Sequence, residues 1–164
     1  MVGTRRVAYA VVLAAVGVAL APFTSFPIGI AKVNPTQHFV NVLGAVILGP
    51  WWATLVAFVV AILRNALGVG TLLAFPGGMI GAFLAGFAFR ATKSPYAAAA
   101  GEIAGTGLLA PLVGAALVAP VFMGRSIGFL ALLPSFLAST VVGAVLGVLA
   151  LRLLRRADLL PRRD

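Results

Sequence analysis

Residues 32–78, KVNPTQHFVNVLGAVILGPWWATLVAFVVAILRNALGVGTLLAFPGG, contain every histidine, glutamine and asparagine of this sequence. The segments on both sides consist largely of alanine, valine, leucine, glycine and phenylalanine. Polar side chains cost free energy in an apolar environment unless they find hydrogen-bond partners. Their concentration in one stretch therefore raises the question of what they bind.

The composition indicates an integral membrane protein. Of the 164 residues, 62% are hydrophobic and 9% are charged, whereas soluble domains carry about 25% charged residues. The mean hydropathy is +1.15, and several apolar runs approach the ~20 residues that cross a bilayer as a helix. The period-two alternation of membrane β-strands is absent. We expect an all-α protein, because helices satisfy their own backbone groups in lipid.

The scarcity of reactive side chains excludes several classes of function. There is no cysteine, and the only acidic residues are Glu102, Asp158 and Asp164. This argues against disulfides, a metal site or catalysis by paired carboxylates. The net charge of +9 raises nucleic-acid binding as an alternative, but the basic residues lie at the ends of apolar runs, where they orient helices. We expect no catalytic residue, metal, cofactor or nucleic-acid partner.

Six apolar segments predict a bundle of six transmembrane helices in a single domain, residues 1–164. The first is interpreted as a retained helix, because Pro22 would follow the cleavage site of a signal peptide. Proline and glycine in residues 25–36 predict a loop that folds over the bundle. The predicted helices span residues 6–24, 37–48, 51–66, 72–89, 96–118 and 129–154, followed by a basic tail at residues 155–164.

Small residues spaced four apart predict close contacts between helices. Those of the fourth helix form two faces and predict a central packing helix: Gly77, Gly81, Ala85 and Gly78, Ala82, Gly86. In the first helix the same spacing is found at Ala10, Ala14, Ala15 and Ala19. These alanines fit either a partner helix or ordinary packing inside the bundle.

The distribution of basic residues predicts the orientation. Six crossings put both termini on one side, which then carries nine of the twelve lysine and arginine residues. The other side carries Lys32, Arg64 and Arg125. Because basic residues are enriched on the cytoplasmic side, we expect cytoplasmic termini and a polar cluster near the outer face.

The polar cluster predicts a binding site. An arginine within a membrane helix costs at least ~2.5 kcal/mol on the mildest scale, so Arg64 is expected to face the bundle interior and a partner. Neutral donors and acceptors, one imidazole and two cations suit a small polar heterocycle that carries a hydroxyl or an acidic substituent. The predicted binding residues are Lys32, Asn34, Gln37, His38, Asn41, Arg64 and Asn65. The alternative is that the amides bond helix to helix and that Arg64 caps carbonyls or meets lipid phosphate.

Glu102 is the only acid inside a predicted helix. Arg64 across the bundle is one candidate partner, and Arg90 or Lys93 near the inner face is another. We expect a structural role for it rather than contact with a ligand.

The sequence lacks a motif that would supply energy for transport. It has no G-x-x-x-x-G-K-[ST] loop for ATP, and six helices without a visible repeat are few for an alternating-access transporter. A capture subunit that needs a partner is therefore predicted. Two alternatives are a membrane enzyme that uses Arg64, His38 and Lys32 on a lipid or isoprenoid phosphate, and a purely structural membrane subunit.

Several motifs of this sequence resemble those of the ThiW family, which is associated with the thiazole precursor of thiamine. They are Lys32-Val33-Asn34-Pro35-Thr36-Gln37-His38, Asn41-Val42, Leu48-Gly49-Pro50, Leu63-Arg64-Asn65, Leu73-Ala74-Phe75-Pro76-Gly77 and Gly101-Glu102. The resemblance covers nearly the whole chain, and residues 32–77 are its specific part.

The resemblance implies a six-helix substrate-capture (S) component of an energy-coupling-factor (ECF) importer. Such a component would bind hydroxyethylthiazole or a related precursor at the outer face of the bacterial cytoplasmic membrane. An S component for a different vitamin is the alternative. The partners would be a transmembrane coupling protein and two ATPase subunits, with Ala10, Ala14, Ala15 and Ala19 as the coupling contact.

Overall fold

The computed structural model describes residues 3–28 and 31–160. Helices make up most of these residues, and two short strands form one antiparallel hairpin. Two π-helical segments, Gly105–Leu109 and Gly114–Phe122, continue the helical path of α6 and α7, so residues 95–122 run as one helix. The elements are α1 (Gly3–Ala19), α2 (Ala21–Thr24), β1 (Phe26–Ile28), β2 (Ala31–Val33), α3 (Pro35–Ile47), α4 (Pro50–Ala66), α5 (Ala74–Thr92), α6 (Pro95–Ala104), α7 (Ala110–Val113) and α8 (Phe129–Arg156).

The long helices are suited to a membrane. Among the described residues, three are long and apolar enough to cross one: Ala74–Thr92, Pro95–Phe122 and Phe129–Arg156. Pro50–Ala66 is a shorter apolar helix. Many large apolar side chains are exposed on the helices, as with Leu130 at 75%, and soluble proteins rarely expose apolar patches on this scale. The bundle is therefore membrane-embedded.

Helix α3 lies inside the bundle and contacts α1, α4, α5, α6 and α8. It begins at Pro35, two residues before the predicted start, because Asn34 is its N-cap: the side-chain oxygen accepts a hydrogen bond from Gln37 N at 3.0 Å. Proline suits the following position, where no backbone donor is needed. At 13 residues, or about 20 Å at 1.5 Å per residue, α3 is short for a full crossing, as expected. Gly49, with φ +88°, makes the turn into α4.

Helix α5 packs against α3, α4 and α6 through its small residues. All six glycines and alanines of the two predicted faces are buried. A Cβ on Gly86 would collide with the backbone of Pro50, and one on Gly105 would lie 2.8 Å from Gly81 Cα. The helices approach so closely because side chains are missing at these crossings, as the fourfold spacing predicts. The helix begins at Ala74 and ends at Thr92, two to three residues later at each end than predicted.

Helix α8 lies along α3 and continues unbroken through Pro134 to Arg156. The two glycines of α8 contact α3 directly. A Cβ on Gly143 would lie 2.6 Å from His38 Cβ, and one on Gly147 would lie 2.8 Å from Val42 Cβ. This contact sets the position of the first turns of α3, which carry several polar side chains.

The four alanines of α1 do not share one environment. Ala10 is buried and packs in the core, and Ala14 is half-buried. Ala15 and Ala19 are exposed. Helix α1 ends at Ala19 rather than residue 24, and a separate turn of helix, α2, carries Pro22. Only part of the predicted alanine contact is therefore accessible from outside the chain.

Two other predicted regions differ from the structure. Residues 25–36 were expected to form a loop, but β1 and β2 pair within it in the register Phe26–Val33 and Ile28–Ala31. The fifth helix extends to Phe122 rather than residue 118, and the sixth ends at Arg156 rather than 154. Residues 161–164 of the predicted basic tail lie outside the described residues.

Candidate binding site

A polar cavity lies at one end of the bundle, where α3, α5 and α8 begin and α4 ends. Strand β2 borders the cavity, which has a volume of about 40 Å³. One water molecule needs a cavity of ~10–15 Å³, so this volume is small. It is lined by Lys32, Val33, Asn34, Gln37, His38, Arg64, Thr71, Leu73, Ala74, Gly77, Gly78, Ser135, Phe136 and Ser139.

The first turn of α3 brings three polar side chains to the cavity: Asn34, Gln37 and His38. All three are nearly inaccessible, at 3%, 3% and 7% exposure. Asn34 is anchored through its backbone N, which donates to Ser139 Oγ at 3.0 Å. Because the N-cap is fixed in this way, the side chains one turn later have defined positions.

Glu102 is the centre of a buried network behind the cavity. It is fully buried, and its Oε1 lies 2.8 Å from His38 Nδ1 and accepts from Asn41 Nδ2 at 3.1 Å. Thr106 Oγ1 approaches the same oxygen at 2.9 Å and Gly77 O at 2.7 Å. A single hydroxyl proton serves one of those two acceptors at a time. The partner of Glu102 is therefore His38, and none of the three basic residues considered from the sequence.

The position of Glu102 depends on Gly81 in the facing helix. A Cβ at Gly81 would lie 2.6 Å from each carboxylate oxygen of Glu102 and would collide with Thr106. The π-helical segment Gly105–Leu109 begins three residues after Glu102, and such segments often occur at functional sites. Without a side chain at residue 81, α5 and α6 leave just the space that the carboxylate occupies.

The network fixes the orientation of two amides. Asn41 Nδ2 donates to Gly78 O at 2.9 Å as well as to Glu102, and both of these atoms are acceptors. The amide oxygen of Asn41 consequently faces Gln37 and accepts from its Nε2 at 3.0 Å. This leaves Oε1 of Gln37, a cavity-lining residue, as an acceptor for another donor.

Arg64 reaches the cavity from the last turn of α4. The Arg64 side chain is only 3% exposed, although it carries a charged guanidinium group. The chain turns sharply behind it, since Val69 N and Gly70 N both donate to Arg64 O at 3.0 Å. A side chain at residue 70 would not fit this turn, because its Cβ would lie 2.9 Å from Asn65 Nδ2.

The β-hairpin borders the cavity through Lys32 and Val33 of β2, and several polar contacts hold it and the adjoining residues. Lys32 Nζ donates to Gly68 O at 3.2 Å, which ties β2 to the turn after α4. Ser135 Oγ of α8 donates to Ile28 O at 3.0 Å. Asn34 Nδ2 donates to Ser25 Oγ at 2.9 Å. Such contacts are individually modest, about 0.5–1.5 kcal/mol net.

Two buried polar atoms in residues that line the cavity lack a hydrogen-bond partner within the described part of the chain. They are the acceptor Gln37 Oε1 and the donor Arg64 Nε. An unmade hydrogen bond of a buried group costs about 1–3 kcal/mol, and more for a charged one. Three further unpartnered atoms lie in residues that do not line it: Arg6 Nε, Glu102 Oε2 and Thr140 Oγ1.

Five of the seven predicted binding residues line the cavity: Lys32, Asn34, Gln37, His38 and Arg64. Asn41 lies behind it in the Glu102 network. Asn65 is half-buried and donates to Ala61 O at 2.8 Å and Thr71 O at 3.2 Å, so it holds the turn after α4. The role of the lining residues in binding stays a prediction.

Sequence reasoning missed Glu102 as part of this constellation and also missed the contribution of α8. Ser135 and Ser139 line the cavity, with Phe136 between them. Two serines spaced four apart in an otherwise apolar helix were an available signal, since polar residues in membrane helices usually face the bundle interior. Thr71 and Leu73 also line it, and nothing in their sequence context distinguishes them.

The donor set of the cavity suits an organic ligand rather than a metal ion. Across residues 3–28 and 31–160, no group of three or more histidine, cysteine, aspartate or glutamate residues is placed to hold a metal. Amide, imidazole, hydroxyl and guanidinium groups around an aromatic ring are instead typical of small-molecule pockets.

One protein family matches this chain. Its sequence model, described as thiamine-precursor transporter protein (ThiW), matches residues 7–157, which is nearly the whole length. The family is one of transporters and not of enzymes. No curated protein matches the chain.

Proposed function

The chain belongs to the ThiW family of thiamine-precursor transporter proteins, and from this we propose that it is the substrate-binding S component of an ECF importer. Its substrate is hydroxyethylthiazole or a closely related thiamine precursor, captured at the outer face of the cytoplasmic membrane. The proposal rests on two residues that line the same cavity and each keep a buried polar atom without a hydrogen-bond partner among the described residues. These atoms are the acceptor Gln37 Oε1 and the donor Arg64 Nε. A polar heterocycle between them satisfies both groups.

The cavity as it stands has a volume of about 40 Å³, whereas pockets for small ligands typically measure about 300–1,000 Å³, so binding is proposed to require movement. The β-hairpin is the element proposed to move. It carries Lys32, borders the cavity and is held by single hydrogen bonds to Gly68 and Ser135. The hairpin thus serves as a lid, while α3, α4, α5 and α8 form a fixed floor.

The proposed orientation has six crossings with both termini in the cytoplasm. Support comes from the basic residues at the two ends of the bundle. Arg6, Arg90 and Lys93 surround a second cavity together with Trp51 and Trp52, and paired indoles are typical of a membrane interface. The binding cavity, at the opposite end, then faces the outside.

The chain carries no phosphate-binding loop, so a partner has to supply the energy. The proposed partners are a transmembrane coupling protein and two ATPase subunits. On α1, Ala15 and Ala19 are exposed together with Val11 and Val12. Val11, Ala15 and Ala19 are spaced four apart and Val12 lies three residues before Ala15, so the four share one face, and this face is the proposed contact with the coupling protein.

Binding by the isolated chain tests the proposal. Calorimetric titration of protein purified in detergent, without ATP, is expected to give a saturable heat with hydroxyethylthiazole. Gln37→Ala should weaken binding about fivefold, the equivalent of one hydrogen bond of ~1 kcal/mol. Thr54→Ala is the matched control, because its side chain bonds only to Pro50 O in its own helix. If thiazole, pyrimidine and thiamine compounds all fail to bind, the proposed substrate class is wrong.

A further inference from the structure

The charge of the cavity is unbalanced. Lys32 and Arg64 line it, and no acidic side chain does so among the residues that the structure describes. Within the same ranges the only contact between a basic and an acidic side chain joins His38 to Glu102. Arg64 therefore has no carboxylate partner, although it is 3% exposed.

A guanidinium in this position needs a counter-charge or several acceptors, because desolvation of a charge is expensive. Glu102 is the one acid within a described helix, but its Oε1 already lies within hydrogen-bond distance of His38, Asn41 and Thr106, and Glu102 does not line the cavity. Asp158 is exposed beyond the end of α8. Within residues 3–28 and 31–160, the structure therefore places no anionic side chain at the cavity with Arg64.

We propose that the ligand itself supplies the anion: it carries a carboxylate or a phosphate monoester, which Arg64 binds with Lys32 at the rim. This inference rests on the proposed function and narrows its substrate class from neutral to anionic precursors. Arginine presents a planar fork that matches carboxylate and phosphate oxygens. Lys32 adds a second positive charge from β2, which borders the cavity.

The remaining cavity groups fit the other end of such a ligand. Gln37 Oε1 can accept a hydrogen bond, and Phe136 contributes an aromatic ring to the lining of the same cavity. The anionic substituent would accept from Arg64 Nε, whereas Gln37 Oε1 needs a donor from elsewhere on the ligand, because a thiazole ring has no N–H group. A neutral alcohol would meet Arg64 with one weak acceptor and leave its charge unbalanced.

A matched pair of ligands tests this directly. Hydroxyethylthiazole and its phosphate monoester share the ring and the ethyl arm, and the monoester carries an anionic phosphate in place of the hydroxyl proton. Titrated into the purified full chain in phosphate-free buffer, the monoester is expected to bind at least tenfold more tightly than the alcohol. Arg64→Gln should remove most of this preference. Arg125→Gln removes an exposed arginine and should leave the preference intact.

A second variant, Lys32→Gln, tests the inference even if Arg64→Gln does not fold. Lys32 is exposed, so Lys32→Gln should fold normally and still reduce the preference for the monoester severalfold. Unchanged preference in Lys32→Gln and in a folded Arg64→Gln would overturn the inference.

The outcomes separate the two proposals. Equal or tighter binding of the alcohol overturns the anionic substrate and leaves the S-component proposal standing. If neither ring compound binds, the proposed function itself fails. Inorganic phosphate and short-chain phosphatidic acid are titrated in the same way. If either binds as tightly as the monoester, Arg64 holds an adventitious ion only or a lipid headgroup, and this result also overturns the inference.

Discussion

The replacement Asn41→Ala tests whether the buried network controls the cavity. Asn41 is 1% exposed and does not line the cavity, so any effect on binding has to pass through its partners. It makes three hydrogen bonds, at 2.9 Å to Gly78 O, 3.1 Å to Glu102 Oε1 and 3.0 Å from Gln37 Nε2. The alanine variant leaves all three partners without this amide.

The expected loss follows from these three bonds. Two are between neutral groups and contribute about 1 kcal/mol each, and the bond to the carboxylate contributes about 2 kcal/mol. The free energy of unfolding should therefore fall by up to about 4 kcal/mol, measured by reversible unfolding in mixed micelles. Affinity should fall by about fivefold, because Gln37 loses the contact that orients its Oε1 toward the ligand.

A double-mutant cycle in calorimetry gives the decisive comparison. If Asn41 acts only through Gln37, the double variant Gln37→Ala/Asn41→Ala binds no more weakly than Gln37→Ala alone. Asn65→Ala is the matched control, since it removes an amide outside this network, and its effect should multiply with that of Gln37→Ala. If the losses of affinity in Gln37→Ala and Asn41→Ala multiply in the double variant, Asn41 does not act on the cavity through Gln37 and the proposed route is refuted.

Three further predictions follow from other contacts. Gly81→Ala places a Cβ within 2.6 Å of Glu102, so the melting temperature should fall clearly. Gly128→Ala is the control and should have little effect, because there is open space around Gly128. Equal melting temperatures of the two variants would contradict the close packing of α5 and α6. Ala15→Leu should leave ligand affinity unchanged and block uptake by the complete transporter in cells; equal loss of both would place Ala15 in internal packing. Ser139→Ala removes the acceptor of the α3 N-cap backbone and should destabilise the protein by about 1–2 kcal/mol in chemical unfolding; an unchanged unfolding midpoint would show that water replaces this bond.

The sequence predicted the helical elements well because their signals are local. Apolar length, proline and glycine breaks and the fourfold spacing of small residues each act within a few turns, and the buried faces of α5 follow from that spacing. The start of α3 was missed by two residues although its signal is local, since Asn34 caps the helix through Gln37 N and Pro35 follows it. The hairpin was missed because three-residue strands of FPI and AKV carry almost no periodic signal.

The candidate site was predicted only in part, for a similar reason. Lys32, Gln37 and Arg64 stand out in an apolar sequence as costly residues, so their presence at a cavity was accessible from composition and position. The contact between His38 and Glu102 spans 64 residues, and no local rule links those two positions. Composition identifies which groups need partners, while only the packing of α3 against α6 determines which partners they obtain.

The distribution of satisfied and unsatisfied groups favours a ligand site over simple helix packing. Polar residues that only join helices are expected to satisfy one another, because an unmade bond in lipid is costly. Asn41 meets this expectation, with every amide group engaged. One layer further out, Gln37 and Arg64 each keep one buried atom without a partner, and both line the cavity. Glu102 Oε2 is also without a partner behind the cavity in the described part of the chain, so a ligand is inferred from Gln37 and Arg64 alone, whose unpartnered atoms belong to residues of the cavity wall.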